Sequence, residues 1–179
     1  GKSPRTRTER ELISFDGSEA RIIGEIYSRE REFITDITLR AGSRRKMTVN
    51  GVAAKNASEL SEVLHTVFFS PEDLVLTRVG AAARRRFMDQ SLCQLRPRYA
   101  RALAEYHRLY EHKTRILRDR EENPGLLAML PDFNEGMCRM GAILIHYRAQ
   151  YCRALAGYAA PAHGDCSGGR EKLKLRYET

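Results

Sequence analysis

Two neighbouring carboxylates are the first candidates for chemistry in this sequence. Glu72 and Asp73 stand in the run Ser70-Pro71-Glu72-Asp73, and paired carboxylates can bind a metal ion or exchange protons. The same run places a serine before a proline and acids directly after it, which is a common pattern at the start of a helix. We therefore predict that these residues cap a helix rather than form a metal or acid–base site.

Three consecutive arginines form a second candidate site. Arg84, Arg85 and Arg86 fall in the first turns of a predicted helix, where the helix dipole disfavours each cation by roughly a few tenths of a kcal/mol. A sequence tolerates that cost more readily if the arginines meet phosphate groups or acidic side chains. Two interpretations stay open, a phosphate-binding site and a solvated helix face beside Phe87 and Met88.

Other combinations of reactive residues carry weaker signals. Gly1-Lys2-Ser3 matches the end of a phosphate-binding loop, but such a loop needs a preceding strand and an earlier glycine, so we predict a mobile basic terminus. His163 and Cys166 have a spacing seen in metal ligands, but structural zinc sites use four protein ligands. The sequence therefore predicts neither a metal site nor a set of catalytic residues.

The composition is that of a globular protein that associates with polyanions. The 179 residues are 42% hydrophobic and 30% charged, with a net charge of +8 and a sequence pI near 9.6, which favours nucleic acid or an acidic membrane surface. No apolar stretch reaches the roughly 18 residues that a membrane span needs. The four cysteines show no pairing pattern, which indicates a reducing compartment such as the cytoplasm.

The first part of the chain alternates apolar and polar residues, as strands do, and contains turn dipeptides. Strands are predicted at Ala20–Tyr27, Phe33–Leu39 and Lys46–Val49, turns at Gly42-Ser43 and Asn50-Gly51, a short helix at Ala57–Leu64 and a small apolar strand at Thr66–Phe69. In the first strand, Ile22 and Ile26 face one side and Ile23 and Tyr27 the other. The pattern predicts an antiparallel meander with one apolar face and one solvated face.

After residue 80 the pattern becomes helical, with a first helix over Ala81–Leu95. Beyond Pro97, two heptad-like series separated by Asn123-Pro124-Gly125 predict an antiparallel helical hairpin. The predicted inward residues are Tyr99, Leu103, Tyr106, Tyr110 and Leu117 on one helix, and Met137, Met140, Leu144, Tyr147, Tyr151 and Tyr158 on the other. A last strand is predicted over Glu171–Tyr177.

Together these elements predict an α+β fold, an antiparallel β-meander followed by an antiparallel helical-hairpin arm. The boundaries are residues 1–80 for the β-rich region, 81–162 for the helical arm and 163–179 for a strand that returns to the sheet. A strand that returns so near the terminus would leave an exposed sheet edge. We therefore expect the fold to be incomplete at both ends.

The segment with the carboxylates and arginines also carries a family resemblance. Phe69-Ser70-Pro71-Glu72-Asp73-Leu74, then Gly80 and Arg84-Arg85-Arg86-Phe87-Met88-Asp89, closely resembles the F-S-P-E-D-L…G…R-R-R-F-[LM]-D segment of the bacterial RecF proteins. Flanking pieces resemble the same family in order: Gly1–Thr6, Val49–Val52, Leu95–Tyr99 and His163–Gly169. The resemblance covers essentially the whole chain, and its central segment is specific.

The resemblance implies an ATPase head of the SMC and ABC type, with residues 1–80 and 163–179 in the nucleotide-binding lobe. Proteins of this family bind ATP with magnesium, dimerise around ATP, and bind gapped DNA together with RecO and RecR partners in repair, replication and the SOS response. By the same resemblance Arg5, Thr6, Ser70, Glu72 and Asp73 would lie near the nucleotide. Arg84, Arg85 and Arg86 would meet DNA phosphates where the arm begins.

Three motifs of that family are not found in this sequence: the phosphate loop, the signature serine motif and the acidic strand that holds magnesium. We expect them upstream of Gly1 and downstream of Thr179. Without them phosphoryl transfer lacks positioning and charge stabilisation, so we expect this chain neither to hydrolyse ATP nor to bind it tightly, whereas the full-length protein would be a weak DNA-dependent ATPase. Two alternatives stay open, a partner-binding helical module without DNA or ATP binding, and a nucleotide enzyme that uses Gly1–Ser3.

Overall fold

The computed structural model describes residues 6, 8–28, 30–78 and 80–179, without the side chains of residues 57, 58, 72, 75 and 77. The chain divides into two units, Gly1–Gly80 (the sheet unit) and Ala81–Thr179 (the helical unit). Strands occur in the first and long helices in the second, which confirms the predicted α+β class. None of the helices in the described chain combines the length and the apolar character that a bilayer span requires.

In the described part of the sheet unit, four antiparallel strands follow one another in sequence order: β1 (Glu19–Ser28), β2 (Arg31–Arg40), β3 (Lys46–Val49) and β4 (Val52–Ala53). The three predicted strands and the meander are confirmed, and β4 is an additional short strand. Asn50 and Gly51 turn the chain from β3 into β4 with φ angles of 49° and 79°. Positive φ at both central residues is what a type I′ hairpin turn requires.

The register of the strands decides which side chains share a face. Ile22 pairs with Ile37 and Ile26 with Phe33, and residues directly opposite one another in an antiparallel pair point to the same side. Ile23 pairs with Asp36 on the other side, so the predicted division of the β1 side chains is confirmed. On the first face Thr35 and Leu39 are buried, at 7% and 4% exposure.

Outside the strands, the described residues of the sheet unit form two 3-10 helices, Glu9–Leu12 and Pro71–Thr77, and one short α-helix, α1 (Ala57–Ser61). The helix predicted over Ala57–Leu64 is therefore present but shorter. The strand predicted over Thr66–Phe69 is wrong, because no described residue forms a ladder with it. Its apolar side chains Val67, Phe68 and Phe69 are exposed. An apolar run becomes a strand only where a neighbouring edge takes its backbone hydrogen bonds.

Three α-helices build the helical unit: α2 (Ala81–Leu95), α3 (Pro97–Arg118) and α4 (Leu130–Ser167), with a 3-10 helix at Pro124–Met129 between the last two. The predicted break at Asn123-Pro124-Gly125 is confirmed. The Tyr99 ring contacts the Tyr147 ring with centroids 5.9 Å apart, and Lys113 Nζ donates to Asn134 Oδ1 at 2.6 Å. The residue numbers increase along α3 while those of the contacting α4 residues decrease. The two helices therefore run in opposite directions, which confirms the predicted antiparallel hairpin.

The core of the helical unit lies where the three helices meet. Its buried side chains are Leu92, Tyr99, Ala102 and Leu144. The inward residues predicted on α4 are half-buried or buried as far as Tyr151, but Tyr158 is 80% exposed.

In the second half of α3 the residues that point inward are not the predicted ones. Tyr110 and Leu117 are exposed, whereas Ile116 is buried. A Cβ added to the buried Gly136 would lie 3.0 Å from Leu109 Cδ1, so the helices meet closely at Leu109 and not at Tyr110. Seven residues, or about two turns, lead from Leu109 to Ile116. The predicted series is therefore wrong by one position in this half of the helix.

The chain after α4 has no strand in the described residues, so the strand predicted over Glu171–Tyr177 is wrong. Gly168 ends α4 in the left-handed conformation, with φ of 60°. The following segment runs back along the helix: Glu171 Oε2 lies 3.3 Å from His163 Nε2, and Tyr177 lies near enough to Arg148 to raise the pKa of that guanidinium. Six extended residues span about 20 Å, close to the roughly 22 Å that fifteen helical residues cover.

Alternation nevertheless persists in this C-terminal segment. Leu173, Leu175 and Tyr177 are half-buried, while Lys172, Lys174 and Arg176 are exposed. The alternating apolar residues that predicted a strand thus pack this segment against a helix. No strand forms there, because the backbone groups of a helix are already hydrogen-bonded within the helix and cannot form a ladder. Whether residues 163–179 belong with the sheet unit stays a prediction.

Candidate functional site

The three consecutive arginines lie in the first turns of α2. Arg84, Arg85 and Arg86 are all exposed, and the first turn of the helix contains no acidic residue. Among the described residues, no carboxylate forms a salt bridge with Arg85 or Arg86. Their guanidinium groups are therefore accessible to an anionic ligand in a part of the helix where the dipole does not stabilise them.

A second group of arginines follows at the junction of α2 and α3. Arg96, Arg98 and Arg101 are exposed, and none of them has a salt bridge to a described carboxylate. The helical unit has 18 lysines and arginines against 11 aspartates and glutamates, so it carries +7 of the net charge of +8. The positive charge of the chain is thus concentrated in the unit that contains Arg84, Arg85 and Arg86.

One half-buried ion pair joins α2 to α4 beside these arginines. Arg148 Nε donates to Asp89 Oδ1 at 2.9 Å and Arg148 Nη2 donates to Asp89 Oδ2 at 3.0 Å, a bidentate pair of the kind that arginine favours. The Tyr99 hydroxyl donates to Asp89 Oδ1 and accepts from Arg148 Nε at 3.0 Å. The side chains of Arg148 and Asp89 are only 13% and 19% exposed. We call Asp89, Tyr99 and Arg148 the interhelix cluster.

The electrostatics of the interhelix cluster follow from its burial. Burial raises the pKa of Tyr99 well above its usual value, and the hydrogen bond to Asp89 adds to the effect. Burial alone would lower the pKa of Arg148, but its interactions with Tyr99, Asp89 and Tyr177 outweigh burial and raise it. Burial, and then the charge of Asp89, also raises the pKa of Cys93. At neutral pH the cluster therefore holds a neutral phenol against a charged arginine–aspartate pair.

The residues predicted near a nucleotide lie in the sheet unit and are held by local hydrogen bonds. Thr6 Oγ1 donates to the Glu11 carboxylate and accepts from the Thr8 backbone N–H at 3.1 Å. Arg5 lies outside the described residues. Thr6 thus contacts its own sequence neighbours, and its position near a nucleotide stays a prediction.

Ser70 and Asp73 cap the 3-10 helix Pro71–Thr77. The Ser70 backbone N–H donates to Asp73 Oδ2 at 2.8 Å, and Ser70 Oγ donates to the same oxygen at 3.3 Å. This is the reciprocal half of a capping box, so the predicted capping role is confirmed for these two residues. The side chain of Glu72 lies outside the described part of the structure. Their proximity to a nucleotide stays a prediction.

The sequence prediction missed the interhelix cluster. In the sequence Asp89 stands out only as the last residue of the arginine motif, and its partner Arg148 stands 59 positions later. A signal was present, because Arg148 is the one Asp, Glu, Lys or Arg between Arg139 and Arg153, and a charge at a core position is usually paired. Finding which acid pairs with it required the packing of α2 on the hairpin.

Comparison with known proteins finds no family model that matches the chain. The DNA replication and repair protein RecF of Agathobacter rectalis is 35% identical over 177 residues, which are 99% of this chain and 49% of that protein. The chain therefore spans about half the length of the curated relatives that it matches.

Two solved structures share the fold. One is the recombination mediator protein RecF-ATPrS in the RecFOR pathway, with a TM-score of 0.87 and 24% identity over 97% of this chain and 46% of that chain. The other is RecF-ATP of the same pathway, with a TM-score of 0.87 and 23% identity over 99% of this chain and 50% of that chain. The fold of this chain is thus one already seen in solved proteins.

Proposed function

Since the chain is a homologue of the RecF proteins over about half of their length, we propose that it acts in a RecF-like DNA-binding protein of recombinational repair and replication. Its own contribution is to contact DNA phosphates through the helical unit. The observation that carries this proposal is the exposed series Arg84, Arg85 and Arg86 at the start of α2, in the unit that carries +7 of the net charge of +8.

Phosphate contact is the chemistry that these arginines fit. A guanidinium group stays charged at any physiological pH and donates to two phosphate oxygens at once. No described acid pairs with Arg85 or Arg86, so binding does not have to break an existing salt bridge at these two side chains. Contacts of this kind are independent of base sequence and weaken steeply with salt, because each one releases counterions from the DNA.

Nucleotide and protein partners belong to the same proposal for the full-length protein. ATP with magnesium would lie near Arg5, Thr6, Ser70, Glu72 and Asp73, and the protein would dimerise around ATP and act with RecO and RecR partners in the cytoplasm, during the SOS response among other conditions. Support comes from the homology and from solved relatives that are RecF-ATPrS and RecF-ATP of the RecFOR pathway. An ATP titration of the full-length protein with Asp73→Ala tests the nucleotide part.

The DNA-binding proposal is tested by replacing Arg84, Arg85 and Arg86 together with alanine. The affinity for a labelled DNA duplex should fall, and the slope of log K against log salt should become shallower by about 0.9 for each phosphate that the variant no longer neutralises. Fluorescence anisotropy across a salt series measures both quantities.

A matched control separates a local site from overall charge. Arg115, Arg118 and Arg120 are three exposed arginines near the far end of α3, and their alanine triple variant loses the same charge. If both triple variants lose the same affinity, only the net charge matters and the assignment to α2 is wrong. If neither variant differs from the unchanged chain, or if the unchanged chain ignores salt, the DNA-binding proposal fails and the partner-binding alternative replaces it.

A further inference from the structure

We propose that Asp89 and Arg148 are positioning residues, which fix the direction in which α2 presents Arg84, Arg85 and Arg86 to phosphate. The inference deepens the proposed function and rests on it. It concerns a different property, since the arginines supply the charge while the interhelix cluster supplies their orientation.

The first step is the distance along the helix. Asp89 follows Arg85 by four residues and Arg86 by three, which is about one helical turn, or roughly 5 Å of rise. Residues three and four apart lie on the same side of a helix. The contact that Asp89 makes therefore restricts the rotation of α2 about its own axis one turn away from Arg85 and Arg86.

The second step is the difference in burial along α2. Arg84, Arg85 and Arg86 are exposed, Met88 and Asp89 are half-buried, and Leu92 is buried in the core. Within the helical unit, Asp89 therefore stands where α2 passes from its exposed arginines to the side chains that pack on α3 and α4. A small rotation of α2 at this point moves all three guanidinium groups.

The third step is the geometry of the attachment. Two parallel hydrogen bonds join the Arg148 guanidinium to both oxygens of Asp89, at 2.9 and 3.0 Å. A bidentate pair restricts orientation as well as distance, whereas apolar attraction such as that of the buried Leu92 has no preferred direction. The Tyr99 hydroxyl, held on α3, donates to the same carboxylate from a second direction.

The sign of the effect separates positioning from charge. Asp89 is an acid, so replacing it with asparagine removes a negative charge and, by electrostatics alone, raises the affinity for DNA. Positioning predicts the opposite, because an amide cannot form the charged bidentate pair with Arg148. The exposed Asp165 provides a matched control, since Asp165→Asn makes the same chemical change away from the cluster.

We expect Asp89→Asn to weaken duplex binding several-fold and to flatten its salt dependence, while Asp165→Asn leaves binding equal or slightly tighter. Arg148→Lys is the second variant, because it keeps the net charge but cannot form two parallel hydrogen bonds. It should weaken binding in the same direction. Circular dichroism of each variant shows whether its helices remain folded, and binding is compared at a temperature where they do.

A variant cycle decides whether the effect passes through the arginines. In the background with Arg84, Arg85 and Arg86 replaced by alanine, Asp89→Asn should cause no further loss of affinity. The same fold-loss in both backgrounds would show a general structural effect and overturn the proposal, as would Asp89→Asn binding that equals or exceeds that of the unchanged chain. If the arginine variant itself keeps full affinity, the proposed function fails as well. If only the Asp89 and Arg148 variants are without effect, the positioning proposal fails alone.

Discussion

The sheet unit and the helical unit bury their apolar side chains to very different degrees. Among the described residues, the buried hydrophobic side chains of the helical unit are Leu92, Tyr99, Ala102, Ile116 and Leu144, whereas the sheet unit buries only Leu39 to the same extent. In the sheet unit Val67, Phe68 and Phe69 are largely exposed. Because apolar burial is the main favourable term in folding, the helical unit should be the more stable of the two.

Each unit contains an arginine–aspartate ion pair, and the two pairs differ in how far they are exposed to solvent. In the sheet, Arg21 Nη2 lies 2.7 Å from Asp36 Oδ2, with the two side chains 57% and 25% exposed. In the helical unit Arg148 and Asp89 are 13% and 19% exposed. An exposed pair contributes little because water screens it, whereas breaking a pair that is largely removed from water leaves a buried charge without a partner. The chemistry is the same, and its consequences depend on burial.

The largest effect is expected from the core of the helical unit. Leu144→Ala should lower the free energy of unfolding of this unit by about 3 kcal/mol, because a buried leucine leaves a cavity. Leu74→Ala in the sheet unit is the matched control, since its side chain is 68% exposed. Urea unfolding followed by far-ultraviolet circular dichroism, with hydrogen exchange to separate the units, measures both. Equal small losses would show that the core of the helical unit is not the better packed one.

The second largest effect is a loss of stability at alkaline pH, which we expect in the helical unit. The pKa of Tyr99 is raised above 10.0 in the folded chain, first by burial and then by the hydrogen bond to Asp89. A group with a raised folded pKa contributes stability that is complete below its unfolded pKa and is lost as the pH rises above it. The helical unit should therefore lose stability above pH 10, by ionisation of the phenol in the unfolded chain.

Tyr99→Phe tests that origin. The variant loses the hydroxyl hydrogen bonds, so we expect it to start about 1 kcal/mol less stable at neutral pH. Its stability should then fall less steeply between neutral and strongly alkaline pH than that of the unchanged chain. Parallel curves of unfolding free energy against pH would rule out Tyr99 as the source.

Local signals account for the parts of the fold that could be predicted. Alternation located β1 to β3, Asn50-Gly51 located a turn whose backbone requires positive φ, and Asn123-Pro124-Gly125 located the break between α3 and α4. Each of these depends on residues close together in the chain. By contrast, Thr66–Phe69 had the composition of a strand, but a strand also needs a partner edge, which local composition does not specify.

The site shows the same limit. The arginine motif and the Ser70–Asp73 cap could be found from the sequence because each is contiguous. The interhelix cluster could not, because Arg148 is 59 positions from Asp89 and because the phase of the hairpin depends on a close contact between Gly136 and Leu109. In this half of α3 two neighbouring series are similarly apolar, Tyr110 with Leu117 and Leu109 with Ile116, and only the second packs inward, with Leu109 close to Gly136.

The smallest effect is expected from the exposed pair of the sheet. The Arg21 guanidinium, hydrogen-bonded to Asp36, holds the pKa of that carboxyl below 3.8. A lowered folded pKa contributes stability that is present above the unfolded pKa and is lost as the pH falls through the folded value. Asp36→Asn should therefore make the sheet unit slightly less sensitive to acid below about pH 4, as measured by hydrogen exchange of the β1 and β2 amides.

The exposed Asp16 is the control, because Asp16→Asn should leave the acid sensitivity of these amides unchanged. If Asp36→Asn also leaves this acid sensitivity unchanged, solvent screening cancels the whole contribution of the pair to stability. An arginine–aspartate pair in this chain then affects stability only where packing removes it from solvent, as at Asp89 and Arg148.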